Sequence, residues 1–106
     1  MSKYFTNQEV KQKLEHFCAY QERCHQEVIQ KMRSMAIDSE SIDEIVVHLI
    51  QHNFLNEERF ACSFARGKHR IKYWGTIRIV NELRMRNISQ NNITTALKEI
   101  TSDEYS

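Results

Sequence analysis

Displaced by 51 residues, the chain matches itself without a gap. Val28, Ile29, Met32, Ile37, Ile42, Val46 and Leu49 fall on Ile79, Val80, Leu83, Ile88, Ile93, Leu97 and Ile100, so apolar meets apolar at all seven positions. The same displacement pairs Ile45 with Ala96, Arg33 with Arg84, and Asp38 with Ser89, the last two standing where a helix N-cap is expected. A self-match on this scale confines the chain to two copies of one supersecondary unit set in series. At 106 residues it is one small array, with no room for two independent cores.

Each copy reads as helical. There is no proline, and the only glycines are Gly67 and Gly75, so almost nothing interrupts a helix. Thr6 or Asn7 can cap a first helix running to about Tyr20, with Val10, Leu14, Phe17 and Cys18 as its apolar stripe. A second, about Cys24 to Met35, turns Val28, Ile29, Met32 and Met35 inward. A third, opening between Asp38 and Ser41, buries Ile42, Ile45, Val46, Leu49 and Ile50. The second copy opens at Asn56, a candidate N-cap, with Glu57 and Glu58 in the first turn where the helix dipole favours negative charge.

The fourth helix sets Phe60, Phe64, Gly67 and Ile71 on one face, aligned with Val10, Leu14, Phe17 and Gln21 at a displacement of 50, as if one residue were gained before the next helix. A helical glycine costs about 1 kcal/mol relative to alanine, so at Gly67 either the helix breaks or, the favoured reading, a second backbone comes into close approach. The fifth helix, about Thr76 to Arg86, turns Ile79, Val80 and Leu83 inward. The sixth, Ser89 to Ile100, does the same with Ile93, Ala96, Leu97 and Ile100, and leaves Thr101 to Ser106 as a polar tail where a third copy would begin. The expectation is an all-α, elongated tandem array of two three-helix repeats, over residues 1–53 and 54–106.

Charge is distributed very unevenly between the copies. From Arg59 to Arg86 there are eight basic residues against one acidic, Glu82, a net charge of +7, while the rest of the chain carries −6. An overall charge of +1 therefore conceals a polar molecule suited to one anionic partner. Guanidinium groups grip phosphate oxygens in pairs, and each neutralised phosphate releases counterions. Tyr73 and Trp74, interleaved with the cations, can stack on an unpaired base or fill a pocket on a protein. The blander reading is that the cations solvate a helix face while Trp74 packs between repeats. Arg78 points away from the apolar stripe of its helix, whereas Arg84 and Arg86 flank it. Because Arg84 has Arg33 as its counterpart, pairing with an acidic neighbour is an alternative role for it.

The run from Phe54 to Leu83 resembles the signature of the RecX family, bacterial regulators of the RecA recombinase. The matching elements are Leu55, the acidic pair Glu57 and Glu58, Phe60 with Ala61, Phe64, the basic stretch Arg66 to Lys72, Gly75, Ile79, and Glu82 with Leu83. Tyr20, Arg23, Val28, Met32 and Ile42 resemble the preceding family repeat more loosely, so the likeness spans roughly residues 10 to 100. It implies tandem three-helix repeats, of which the family usually has three and this chain shows two. It also implies a non-enzymatic protein that binds RecA and RecA-coated single-stranded DNA, with free DNA a further partner, and inhibits recombinase and coprotease activity by blocking filament extension or promoting disassembly. The binding candidates are then Arg66, Lys68, Arg70, Lys72, Trp74, Arg78, Arg84 and Arg86.

Two other readings come from different classes. A helix-turn-helix transcription factor would present Arg78, Asn81 and Glu82 of helix five to base edges, and a protein-only adaptor would set the basic face against an acidic partner. Cys18, Cys24, His48 and His52 form a loose zinc-type set with poor spacing, and Cys18 lies on an apolar stripe, so no metal is expected. There is no phosphate-cradling glycine loop and no nucleophile beside a histidine and an acid, so neither catalysis nor a cofactor is expected. Three cysteines at irregular spacing fit reduced thiols. The longest apolar run, Phe17 to Tyr20, is far short of a membrane span and the amino terminus lacks the apolar core of a signal peptide, so a cytoplasmic protein away from membranes is expected; it is taken as a monomer, with its oligomeric state open.

Overall fold

The computed structural model describes residues 5–104, with side chains described as far as residue 100. Among the described residues there are six helices and no strand: α1 (Asn7–Tyr20), α2 (His25–Ser34), α3 (Ser39–Gln51), α4 (Glu57–Ile71), α5 (Thr76–Met85) and α6 (Gln90–Glu104). They form two compact units of three helices each, Met1–Asn56 and Glu57–Ser106. The division falls after Asn56 because Leu55 is buried in the first unit's core and Phe54 packs against it. Each unit thus has an interior of its own, contrary to the expectation from chain length, because three short amphipathic helices suffice to enclose one small cluster.

Local chemistry starts the helices. Thr6 caps α1 in a reciprocal box, its hydroxyl accepting from the Glu9 N–H at 3.1 Å while Glu9 Oε1 accepts from the Thr6 N–H at 2.9 Å. The bonds from Thr6, backbone before side chain, hold the Glu9 carboxyl below its usual range. Glu27 Oε1 accepts from the Cys24 N–H at 3.1 Å ahead of α2. Asp38 caps α3 by accepting from the Ser41 N–H at 3.2 Å, and its bonds to Ser41 lower its carboxyl pKa too. Ser89 does the same for α6 through the Asn92 N–H at 3.2 Å, so the Asp38 and Ser89 equivalence holds in geometry as well as sequence.

Helix ends repeat just as closely. After α2, Ala36 takes a φ of 60° with Ile37 N–H donating to Met32 O at 3.1 Å; after α5, Asn87 takes a φ of 61° with Ile88 N–H donating to Leu83 O at 3.1 Å. This is a helix stop through one left-handed residue, and the two copies stand 51 residues apart.

In the first unit α3 packs on both α1 and α2 around Val10, Leu14, Val28, Met32, Ile45 and Leu49. In the second, α4 against α6 is the most extensive helix contact. Ala61, Ala65 and Ala96 are fully buried in that unit where Val10, Leu14 and Ile45 stand in the first. Smaller side chains at all three positions let α4 and α6 approach closely.

Several expectations are corrected here. The buried row of α4 is Phe60, Ala61 and Ala65, with Ile71 73% exposed at the helix end, so the face is turned away from the predicted one. Ala61 and Ala65 answer to Val10 and Leu14 at 51 residues, so the first helix keeps the common displacement in its most deeply buried positions. No atom of another segment lies within 4 Å of where a Cβ on Gly67 would stand, and α4 runs through it unbroken: the predicted close approach is absent. Ile50 is 45% exposed because it lies beside, not on, the row Ile42, Ile45 and Leu49. Helix α6 continues through Thr101 to Glu104 rather than ending at Ile100; the rest of the expected tail, 105–106, lies outside the described residues.

Candidate functional site

The basic stretch occupies the last turn of α4, the turn after it, and α5. Glu57 and Glu58 open α4, and Lys68, His69 and Arg70 close it, the charge order the helix dipole favours. The chain leaves α4 through a tightly tied turn. The Lys68 carbonyl accepts from both the Lys72 and Trp74 N–H groups at 3.1 Å, and His69 Nδ1 lies 3.3 Å from the Trp74 carbonyl. Tyr73, between those two donors, has a φ of 59°.

A cation and aromatic stack forms where α4 meets this turn and α5. Phe64 packs 5.7 Å from Phe60 and presents itself edge-on to Trp74 at 6.1 Å. Lys68 Nζ sits 5.5 Å from the Phe64 ring and 5.0 Å from that of Trp74. The Arg78 guanidinium covers the Trp74 ring at 4.0 Å and that of Arg86 covers Phe64 at 4.8 Å. Arg86 Nη1 also donates to the carbonyl and to Oε1 of Glu82, both at 3.0 Å.

The structure thereby sorts the eight candidates. Lys68, Trp74, Arg78 and Arg86 are brought together around Phe64, with Trp74 half-buried. Arg66, exposed, is paired with Glu99 of α6 at 2.5 Å. Arg84, also exposed, donates to Gln90 Oε1 at 3.3 Å, and the acidic partner on α5 belongs to Arg86 instead. Arg70 and Lys72 project at the end of α4, both exposed. Beside them Ile71, Tyr73 and Ile77 are 73%, 86% and 79% exposed. The organising role of Phe64 was missed from sequence, although its spacing of four from Lys68 was visible there.

Two contacts of the second unit reproduce contacts of the first with the chemistry exchanged. Glu15 of α1 lies 2.7 Å from His48 Nε2 of α3; 51 residues on, the same positions hold Arg66 and Glu99, an ion pair of opposite sense. Arg23 covers the Phe17 ring at 3.7 Å; 51 residues on, the cation is Lys68 and the ring Trp74. Repeat geometry is kept while charge is moved onto the second unit's α4.

Other chemistry finds little support among the described residues. No group of three His, Cys, Asp or Glu is placed to hold a metal; His48 stacks on His52 at 4.4 Å and faces Glu15. Cys18 and Cys24 are buried and Cys62 half-buried, none of them in a disulfide. Burial, with Glu99 and Glu58 nearby, pushes the Cys62 thiol up, the opposite of what a nucleophile requires. No helix is long and apolar enough to cross a membrane.

Comparison with known proteins agrees with this arrangement. Residues 56–97 match the family model described as RecX, second three-helix domain. Over 89 residues, 84% of this chain, the sequence is 28% identical to the regulatory protein RecX of Oceanobacillus iheyensis, of which the match takes in 33%. A crystal structure of regulatory protein RecX superposes with a TM-score of 0.76 at 19% identity, over 89% of this chain and 48% of that one, a likeness of fold. The chain spans about a third of the curated relative and about half of the solved one.

Proposed function

We infer, from the premise that the chain belongs to the RecX family, that it is a non-enzymatic regulator of RecA acting in the cytoplasm, where recombination, DNA repair and the SOS response take place. It docks on the RecA nucleoprotein filament on single-stranded DNA and blocks extension or promotes disassembly, lowering recombinase and coprotease activity. The mode of action is electrostatic and steric. The observation that carries this reading is the exposure of Arg70, Lys72 and Arg84 on the unit that the family's second three-helix domain matches. Lys68, Arg78 and Arg86, held over aromatic rings, serve first to fix the surface from which the others project.

A duplex-reading helix is less well supported by the geometry. Of the three outward residues such a reader would use on α5, Arg78 is laid over Trp74 and Glu82 is paired with Arg86, leaving Asn81. The test is RecA-driven ATP hydrolysis on single-stranded DNA with this chain titrated at substoichiometric ratios. Inhibition is expected, and full activity at equimolar chain would overturn the assignment.

A further inference from the structure

We propose that Tyr73 is a stacking platform for an unpaired nucleobase, the element by which this surface engages single-stranded nucleic acid in preference to duplex. The inference rests on the reading of the second unit as a nucleic-acid contact and names what that contact recognises.

Sequence alone offers two aromatic residues here, Tyr73 and Trp74, and the structure separates them. Trp74 is already occupied: Arg78 covers its ring at 4.0 Å, Lys68 approaches it at 5.0 Å, and Phe64 meets it edge-on. Tyr73 is 86% exposed.

Its backbone is no more relaxed than its side chain is covered. A φ of 59° is a left-handed conformation that favours glycine or asparagine, and the residues that end α2, α3 and α5 in the same conformation are Ala36, Asn53 and Asn87. A bulky aromatic ring in that position gains no burial in return for the strain. The backbone is a helix stop through one left-handed residue, like those that follow α2 and α5, tied by the bonds of Lys72 and Trp74 to Lys68, so it holds the exposed ring at a fixed place at the end of α4.

The surroundings suit a single strand. Lys72 adjoins Tyr73 in the turn and Arg70 lies one residue before Ile71, both cations exposed, so the phosphates next to a splayed base meet positive charge. Ile71 at the end of α4 and Ile77 at the start of α5 are also largely exposed, apolar side chains of the kind against which a base loses water. A duplex keeps its bases stacked inside and offers no face to such a platform, which is why the ligand is an unpaired strand.

The experiment is fluorescence anisotropy of a labelled oligothymidylate with the full chain, compared with an abasic oligonucleotide of equal length. Tyr73→Gly relieves the left-handed strain and should fold at least as well, while binding oligothymidylate about tenfold more weakly. Tyr73→Phe should bind as the parent does, and the abasic strand should not distinguish the three proteins. Equal binding of oligothymidylate by Tyr73→Gly, or an equal loss on the abasic strand, overturns the proposal. RecA-driven ATP hydrolysis is followed in parallel. A Tyr73→Gly chain that inhibits RecA poorly yet binds oligothymidylate normally would assign the patch to a protein surface and sink the inference. A parent chain that shows the Tyr73 effect without inhibiting RecA would retain it and remove the regulator reading.

Discussion

At the scale of single residues, Gly67 shows how sequence reasoning can identify an anomaly and give it the wrong cause. Its cost inside a helix was legible, and the inferred reason, a neighbouring backbone, is absent: open space surrounds the missing Cβ. Helix α4 is therefore less stable than it needs to be. Replacing Gly67 with Ala should raise stability by about 1 kcal/mol, read as a higher urea midpoint at unchanged slope. An unchanged or lower midpoint would mean that the site requires the glycine for reasons its packing does not show. Trp74 presents the reverse case. Its residue type suggested either a core position or a contact, and the structure makes it neither purely, since a half-buried ring serves as the surface on which Arg78 and Lys68 are laid. Which ring in the dipeptide is covered depends on the turn that follows α4, and composition carries no record of that.

At the scale of elements, the repeat is held by pairs of positions more than by particular residues. Glu15 with His48 and Arg66 with Glu99 occupy one geometric slot with the charges exchanged. The exchange disfavours mispaired helices during folding: α1 against α6 would set Glu15 on Glu99, two like charges. Arg66→Glu alone creates such a clash within the second unit and should destabilise it by up to about 1 kcal/mol, the modest size expected for a partly exposed pair. Arg66→Glu combined with Glu99→Arg should recover most of that loss, and a double-mutant cycle in urea measures the coupling. A coupling energy near zero would reduce the pair to a coincidence of registry. Helix existence and order, with their caps at Thr6, Asp38 and Ser89, were readable because capping and apolar spacing are local. The buried face of α4 was not: alanines satisfy any spacing rule weakly, so the large residues Phe64 and Ile71 drew the stripe away from Ala61 and Ala65.

At the scale of the whole molecule, charge is the organising quantity. The basic segment from Arg59 to Arg86 carries +7 against −6 elsewhere, and the structure leaves Arg70 and Lys72 exposed at the end of α4. Binding to single-stranded DNA should therefore weaken steeply with salt. Arg70→Ala with Lys72→Ala should flatten the slope of log affinity against log salt by about 1.4, the value for two lost phosphate contacts on a single strand. An unaltered slope would move the contact to other cations of the unit. The sequence by itself determined the two-copy, all-helical plan, the helix boundaries to within a few residues and the place of the positive charge, because periodicity, capping and net charge are sums over near neighbours. Only the tertiary structure decided which cations are spent on rings and carboxylates within the unit and which face solvent. That outcome depends on where α4, α5 and α6 bring distant side chains together, as Arg66 meets Glu99 across 33 residues, and a linear pattern does not encode such distances.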